Sequence, residues 1–454
     1  MLDGILERFA SKAPISVMAR AILQRTVGAE ALDALFADTA QRQYTRELLF
    51  SSVFQMMALV VCRIAPSIHA AYHRYGEAIE VSLSSVYNKL NGIDIQTSQA
   101  LVRTSAREMS AAVSALDGAR SAWLPGRAVR ILDGNCIEAS EHRLEVLRGS
   151  AAGALPGKSL VVYDPHSEMA IDVFPCEDGH AQERSLLAEV LQTVRAGEVW
   201  VADRNFCTAG FLNGIAQAGA YFVIREHEGL RWDPHDGAKM EPVGDSETGQ
   251  VYEQQVQMAD GAEGVCTLRR VKVALEQPTR NQDAALYILT NLPPEETDAV
   301  RVASVYRRRW RIETAFQELE AHLHSELNTL GYPKAALFGF CVALVAYNTL
   351  AVVKAALRSV HGETKVAEEV SGYFLADHLA STYHGMTIAI EEQQWEGFEQ
   401  LSEENFAALL RSLAERVKLR QFKKSKQGPR KSRAKPKPKL DPKVPHIATA
   451  KLLK

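Results

Sequence analysis

The sequence predicts a mixed α+β protein with a central mixed sheet in the order βββαβαβ, continued by a further helix. A β-rich insertion interrupts this core, and helical regions flank it on both sides. Two observations support this prediction. Apolar residues recur every three or four positions in residues 1–125 and again after residue 292, as in amphipathic helices. Between them, short runs rich in Val, Ile and Tyr alternate with helical patterns, which is typical of a sheet covered by helices.

Residues 1–125 are predicted to form a helical N-terminal domain, with clear helical periodicity at 49–60 and 101–116. Residues 82–90, a turn at Asn91-Gly92 and a second helix from Thr97 could form a helix-turn-helix that binds DNA. Two short helices around a glycine also occur in ordinary helix packing, so both interpretations stay open.

Residues 126–225 are predicted to form the first part of the core. The turn sequence at 164–167 indicates that the second and third strands belong to an antiparallel meander. The predicted elements are strands at 128–132, 159–163 and 169–174, a helix at 181–194, a strand at 198–202, a helix at 209–217 and a strand at 220–225.

The rest of the chain divides into four predicted parts. Residues 226–292 form a β-rich insertion, 293–357 the second part of the core, 358–420 C-terminal helices and 421–454 a disordered basic tail. The prolines at 293 and 294 favour the start of a long helix that reaches about residue 324. Residues 335–353 are uncharged and approach the length of about 20 that spans a membrane. Asn348 within them favours a buried core helix over that alternative.

Charge and cysteine usage narrow the class of protein. The net charge is −3, but residues 416–454 contain 15 basic residues and one acidic residue, which leaves −17 for the remainder. Such a basic end suits a polyanion. The six cysteines are isolated, which fits a reducing cytosol and disfavours structural zinc. The first nine residues lack the basic start and apolar run of a signal peptide.

Two aspartates follow predicted strands of the core. Asp133 stands in Ile-Leu-Asp-Gly-Asn, where Gly134 permits a sharp exit, and Asp203 stands in Trp-Val-Ala-Asp-Arg-Asn-Phe. If the two strands are neighbours, both carboxylates lie at one end of the sheet. Taken singly, each aspartate could instead cap a turn.

A third acid is expected on the long helix. At about 100° per residue, Tyr306, Arg309 and Glu313 share one face, whereas Glu318 lies on another. Glu320 also falls on the shared face. This polar face borders an apolar stripe, so its side chains can reach a site on the sheet. A solvated helix with salt bridges between Glu and Arg is the alternative.

These motifs resemble those of DDE transposases of bacterial insertion sequences, of the family-four type. The family's helix motif is Tyr-x2-Arg-x3-Glu-x6-Lys, which matches Tyr306, Arg309 and Glu313, with Glu320 in place of the Lys. Around the second acid the family shows Asp-Arg-Gly or Asn-Phe or Tyr, and the chain reads Asp203-Arg204-Asn205-Phe206. The family's base-flipping Trp has no clear counterpart. Trp232 and Trp310 are available, and ordinary packing is expected for both.

The resemblance implies a ribonuclease H-like core with a β-strand insertion and a catalytic triad of Asp133, Asp203 and Glu313. These acids would bind two Mg²⁺ or Mn²⁺ ions, since hard oxygen ligands suit these metals and two ions can stabilise the attacking and leaving oxygens of a phosphodiester. Tyr306, Arg309 and Arg204 are the expected DNA-binding residues. Glu320 is expected to pair with Arg308, Arg309 or Lys334 rather than to replace Glu313 at the metal.

The sequence thus predicts a cytoplasmic bacterial DNA transposase, without a membrane association, that cuts transposon ends in double-stranded DNA and transfers them to a target. By the resemblance it would act as a homodimer on paired ends, through hairpin intermediates. A nuclease of the same fold that cuts without joining is one alternative. A DNA-binding protein without catalytic activity is another.

Overall fold

The computed structural model describes residues 4–41, 48–75, 80–137, 140, 153–259, 264–279, 282–424 and 446–453. The N-terminal region is helical, as predicted. Its helices are α1 (Gly4–Lys12), α2 (Pro14–Val27), α3 (Ala29–Thr39), α4 (Phe50–Val61), α5 (Ile68–Tyr75), α6 (Leu83–Gly92) and α7 (Ile95–Ala115).

The helices α6 and α7 correspond to the predicted helix-turn-helix. Ser82 caps α6 by accepting a hydrogen bond from the Ser85 amide, and Ile93 and Asp94 connect the helices. One side of α7 is buried, including Leu101, Met109 and other apolar residues. Helix packing thus accounts for this side of α7, and a role of the pair in DNA binding stays a prediction.

The core is a large mixed sheet to which the chain contributes strands in two groups. The first group is β1 (Val129–Cys136), β3 (Lys158–Asp164), β4 (Met169–Cys176), β5 (Val199–Ala202) and β6 (Tyr221–Arg225), with the short β2 (Gly153–Leu155) outside this sheet. The helices α8 (Leu187–Leu191) and α9 (Ala209–Gln217) connect its last members. The predicted helix at 181–194 is shorter than expected, because Glu183–Leu186 forms a 3-10 turn before α8.

The second group of strands comes from the insertion. It consists of β7 (Asp233–Pro234), β8 (Glu241–Ser246), β9 (Gly249–Ala259), β10 (Val265–Leu275) and β11 (Ala285–Thr290). The sheet runs in the order β4-β3-β1-β5-β6-β11-β10-β9-β7, and β8 also pairs with β9. The insertion therefore extends the same sheet through an antiparallel β11–β6 pair.

The strand order of the first group identifies the fold. The pairs β4–β3 and β3–β1 are antiparallel, and β1–β5 and β5–β6 are parallel. Three antiparallel strands followed by two parallel ones, with β1 in the middle, form the ribonuclease H-like sheet that the sequence predicts.

The prediction of one long helix from Pro293 to about residue 324 is wrong in two respects. Helix α10 (Ala299–Arg307) begins five residues after Pro294, where Asp298 caps the Arg301 amide. It then ends in a turn at Arg308 and Arg309, and α11 (Trp310–His322) follows. The helical wheel of the motif therefore spans two helices, although Arg308 and Arg309 keep helical dihedral angles.

The C-terminal part consists of α12 (Pro333–His361), α13 (Glu363–Glu369), α14 (Gly372–Ala389), α15 (Gln393–Glu396) and α16 (Glu403–Glu415). Helix α12 is long and apolar enough to cross a membrane, and its most apolar stretch is entirely buried inside the protein. This agrees with the predicted core helix, in which Asn348 pairs with both backbone groups of Ala170.

The predicted disordered tail, 421–454, is wrong at its two ends. Phe422 is buried and its carbonyl accepts a hydrogen bond from the Ser371 amide. At the other end, β12 (His446–Ala448) pairs in parallel with β2, and α17 (Thr449–Leu452) follows. Residues 425–445, which carry most of the predicted tail, lie outside the described residues.

Candidate active site

The register of the parallel strands places Asp133 beside Asp203. Leu132 pairs with Ala202 at the end of β5, so the two aspartates are the next residues on neighbouring strands, about 5 Å apart at their backbones. Strand β1 continues to Cys136 through its pairing with β3, so Asp133 lies within the strand and Gly134 is no exit from it.

Side-chain alternation directs both aspartates to the same face of the sheet. Leu132 and Ala202 belong to the apolar cluster on one face, and Ile131 and Val201 belong to the cluster on the other. Asp133 and Asp203 therefore continue the Ile131 and Val201 rows. Helix α11 packs against β1 on that face, with Ile312 and Leu319 in the same cluster.

Arg309 connects two of the three predicted acids. Its Nη1 donates to Asp133 Oδ2 at 2.9 Å and its Nη2 donates to Glu313 Oε1 at 2.8 Å. The side chain of Arg309 is only 9% exposed, and its Nε is buried without a hydrogen-bond partner among the described atoms. The guanidinium is thus a buried positive charge held between carboxylates.

The charges of the three acids influence one another. Burial raises the pKa of Asp133 to about 6; Arg309 opposes this shift, and the negative charges of Asp203 and Glu313 add to it. Burial alone would lower the pKa of Arg309, but Asp133, Tyr306, Glu313 and Asp203 raise it overall. The three predicted acids therefore lie close enough to Arg309 for their charges to influence its pKa.

The predicted DNA-binding residues lie along one cleft. Tyr306 is buried and shares a side-chain hydrogen bond with Arg309. Tyr306, Arg309 and Arg204 line an open cleft of 790 Å³ together with Asp203. The insertion forms the opposite wall of this cleft, through residues of β10 and β11. This cleft, the acid cleft, thus extends from Asp203 to the insertion.

The two tryptophans differ in their surroundings. Trp232 donates its indole N–H to Glu226 and lies under the guanidinium of Arg270, so its packing is as predicted. Trp310 is 58% exposed and lines the acid cleft, so the expectation of ordinary packing is wrong for this residue. It is exposed because it begins α11 directly after the turn.

Glu320 lies on an exposed part of α11, and its carbonyl accepts a hydrogen bond from Arg63. Of the cations predicted to pair with it, Lys334 bonds to Asp94, and Arg309 bonds to Asp133 and Glu313. Glu313 therefore has the contact with the Asp133 network that a third acid requires, and pairing of Glu320 stays a prediction.

Sequence reasoning missed Glu183. Its Oε2 accepts a hydrogen bond from Asn205 Nδ2 at 2.5 Å, and its carboxylate lies where a side chain on Gly134 would stand. Gly134 thus gives room to Glu183. The Gly after Asp133 and the Asn after Asp203-Arg204 were the available signals, but neither indicates which distant acid fills the space.

The residues fit divalent metal ions in their chemistry, since carboxylate oxygens are the ligands that Mg²⁺ and Mn²⁺ prefer. Within the described part of the chain, however, no group of three or more Asp, Glu, His or Cys side chains stands ready to hold a metal ion. The guanidinium of Arg309 instead contacts the carboxylates of both Asp133 and Glu313.

Comparison with known proteins matches the central part of the chain to a known family. The family model described as a transposase DDE domain matches residues 124–349. The chain belongs to the DDE transposase family. Its matched region begins just before β1 and ends within α12, so it contains all three predicted acids, the insertion and the α10–α11 turn.

Similar proteins carry related names. The transposase for insertion sequence element IS421 from Escherichia coli is 26% identical over 260 residues. The protein named as transposase InsL for element IS186A, from Escherichia coli strain K12, has the same identity and length of match. Each match covers 50% of this chain and 66% of the relative, just under two thirds of its length. A solved piggyBac transposase synaptic complex with hairpin DNA is 12% identical, with a TM-score of 0.41 over 84% of each chain.

Proposed function

We propose that this chain is a DNA transposase that cleaves the ends of an insertion sequence and joins them to target DNA by metal-dependent phosphodiester chemistry. The observation that carries the proposal is the Arg309 bridge between Asp133 and Glu313 beside Asp203. It gathers three acids from distant sequence around one buried positive charge. Carboxylate oxygens gathered in this way are the ligands that divalent cations such as Mg²⁺ prefer.

In this proposal Asp133, Asp203 and Glu313 hold two Mg²⁺ or Mn²⁺ ions. When bound, the ions activate the attacking oxygen and stabilise the leaving oxygen of the phosphodiester. Asp133 lies beside Asp203 and shares Arg309 with Glu313, so it would hold the metal together with both of them. The low-polarity surroundings that raise its pKa also strengthen its attraction for a cation.

Arg309 changes partners in the proposed mechanism. In this structure its guanidinium forms ion pairs with both Asp133 and Glu313. Because Arg309 also lines the cleft beside Tyr306 and Arg204, it would bind a backbone phosphate there if the two acids held metal ions. In this proposal Arg309 thus binds the acids in one state and a DNA phosphate in another.

The proposed substrate is double-stranded DNA at the transposon ends and in the target. Synapsis of two ends by a homodimer and excision through hairpin ends belong to this proposal, as does action in the bacterial cytoplasm. The 790 Å³ cleft can accept a single strand end next to the acids, and the insertion that forms its wall would hold that strand.

The decisive experiment compares Asp133→Asn, Asp203→Asn and Glu313→Gln in cleavage of DNA that carries the element's ends, with Mg²⁺. The cleavage rate of each variant should fall by on the order of a thousandfold, because the loss of a ligand removes several kcal/mol of transition-state stabilisation. DNA binding should stay near wild type. Glu320→Gln on the same helix is the matched control and should still cleave.

The products separate the proposal from its alternatives. Joined DNA products show strand transfer, whereas cleavage without joining would support the nuclease. Absence of metal-dependent nicking by the wild-type protein on any DNA would support the non-catalytic DNA-binding protein. Cleavage at the wild-type rate by an Asp133, Asp203 or Glu313 variant would remove that residue from the triad.

A further inference from the structure

A second cavity borders the α10–α11 turn. It has a volume of 420 Å³, and its lining includes Trp123, the arginines Arg120, Arg307, Arg308 and Arg311, and the carboxylates of Glu168 and Glu363. Among the described residues, Arg307 lines both this cavity and the acid cleft, and its guanidinium pairs with Glu247. The Arg307 side chain therefore borders both depressions.

The charges in this cavity are unevenly compensated. Arg120 pairs with Glu168 and Glu363. Within the described residues, Arg308 and Arg311 form no ion pair, although both are exposed at the cavity. Two positive charges thus face this cavity without an ion pair in the described structure, although the charge of Arg311 helps to lower the pKa of Glu168 in the same lining.

The neighbouring arginines repel one another. Burial lowers the pKa of Arg308, and the positive charges of Arg301, Arg307 and Arg311 lower it further, whereas the charge of Glu247 opposes this shift. The Arg308 guanidinium lies over the ring of Trp123, with 5.8 Å to its centroid, which supports it on one side and leaves its edge for an anion. An anion bound here would relieve the repulsion.

We propose that Arg308 and Arg311 bind the backbone phosphates of a DNA strand that leaves the acid cleft and passes over Arg307. This inference rests on the proposed function, because the partner it names is the DNA of that site. The cavity is far too small for a duplex and suits the phosphate and sugar of one strand. Because Arg307 borders both depressions, one DNA backbone could place phosphates in the acid cleft and in the cavity in succession.

The test measures binding of the full-length protein to a 40-base-pair duplex by fluorescence anisotropy across a salt series, without metal. Arg308→Gln and Arg311→Gln should each flatten the slope of log affinity against log salt by about 0.9, and the double variant by about twice that. Arg308→Lys should keep the wild-type slope, since it retains the charge.

Arg195→Gln is the matched control. Arg195 is exposed and precedes β5, at the opposite end of the strand from Asp203, so its replacement should leave the slope unchanged. Thermal melting confirms that each variant folds. Unchanged slopes in both arginine variants, in a protein that Asp133→Asn inactivates, would reject this phosphate site and leave the proposed function intact. A wild-type protein that binds no DNA would reject both.

Discussion

Arg309 illustrates at the scale of one residue how a site can be prepared for a metal. Asp133 and Glu313 would repel each other without a cation between them, and the guanidinium supplies that charge in the metal-free protein. Since the side chain is almost entirely buried, a metal ion bound as proposed would compete with Arg309 for the same oxygens.

Arg309→Gln should therefore bind Mn²⁺ at least about tenfold more tightly than the wild type in the absence of DNA, because the competing charge is gone while the carboxylates stay. Electron paramagnetic resonance of free Mn²⁺ measures this without any cleavage assay. Arg308→Gln, which changes the neighbouring arginine outside the acid network, is the control. Equal Mn²⁺ affinity in Arg309→Gln and wild type would contradict the competition.

The sequence indicated the acids better than it indicated their partners. Asp133 and Asp203 stand at or after short apolar strand patterns, and their proximity depends on a strand pairing that the sequence left as a condition and that the register of β1 and β5 supplies. Helical spacing alone shows that Arg309 and Glu313 lie on the same face of the helix. It does not give the rotamer that brings the guanidinium to Asp133, because that choice depends on burial by residues from several elements.

At the scale of elements, the strands and most helices agree with the prediction from the sequence. The positions at which helices end and restart do not. The turn between α10 and α11 falls in Tyr-Arg-Arg-Arg-Trp, and arginine is a good helix former. Tertiary packing overrides that propensity, since Tyr306 and Arg309 are buried toward the sheet while Arg307, Arg308 and Trp310 are exposed. The insertion also joins the main sheet through pairing that no local pattern reveals.

One ion-pair network fastens the β3–β4 turn to the helices. Glu168 accepts hydrogen bonds from Arg120 at 3.1 Å and from the buried Arg358 at 2.6 Å. Arg358 also donates to the Gly118 carbonyl after α7. Burial alone would raise the pKa of Glu168, but Lys354, Arg358 and Arg120 lower it overall.

Glu168→Gln should lower the free energy of unfolding by about 3 kcal/mol at pH 7, because it leaves buried Arg358 without its counter-charge. A lowered native pKa means that the stabilisation is complete above the ordinary value of 4.5 and is lost as the pH falls through the native value. Urea unfolding at pH 7 and pH 3 measures both effects.

Glu415→Gln, a change at an exposed glutamate of α16, is the control for Glu168→Gln and should be nearly neutral at both pH values. The difference between wild type and Glu168→Gln should shrink at pH 3. An equal loss of stability at the two pH values would show that the charge of Glu168 is not responsible.

At the scale of the whole molecule, the contrast between an acidic body and a basic end follows directly from composition. The docking of β12 on β2 does not, because three paired residues carry too little pattern to predict a strand. Ala448 and Thr449 are fully buried there, and Lys451 forms an ion pair with Asp178 at 3.3 Å. Removing the chain from Phe422 onward would therefore remove parts of the fold together with the charge.

The contribution of the basic segment to DNA binding is better tested by replacing charge than by truncation. Residues 425–445 contain eight Lys or Arg and the single acid Asp441. Changing all eight to Gln, with Phe422 and residues 446–454 retained, should weaken binding to any duplex and flatten the salt slope by about 0.9 for each DNA phosphate that the segment no longer neutralises. A scrambled segment of the same composition should bind like the wild type, since counterion release depends on charge rather than order. If the scrambled protein bound DNA as weakly as the Gln variant, the segment would act through its sequence, and the electrostatic explanation would be wrong.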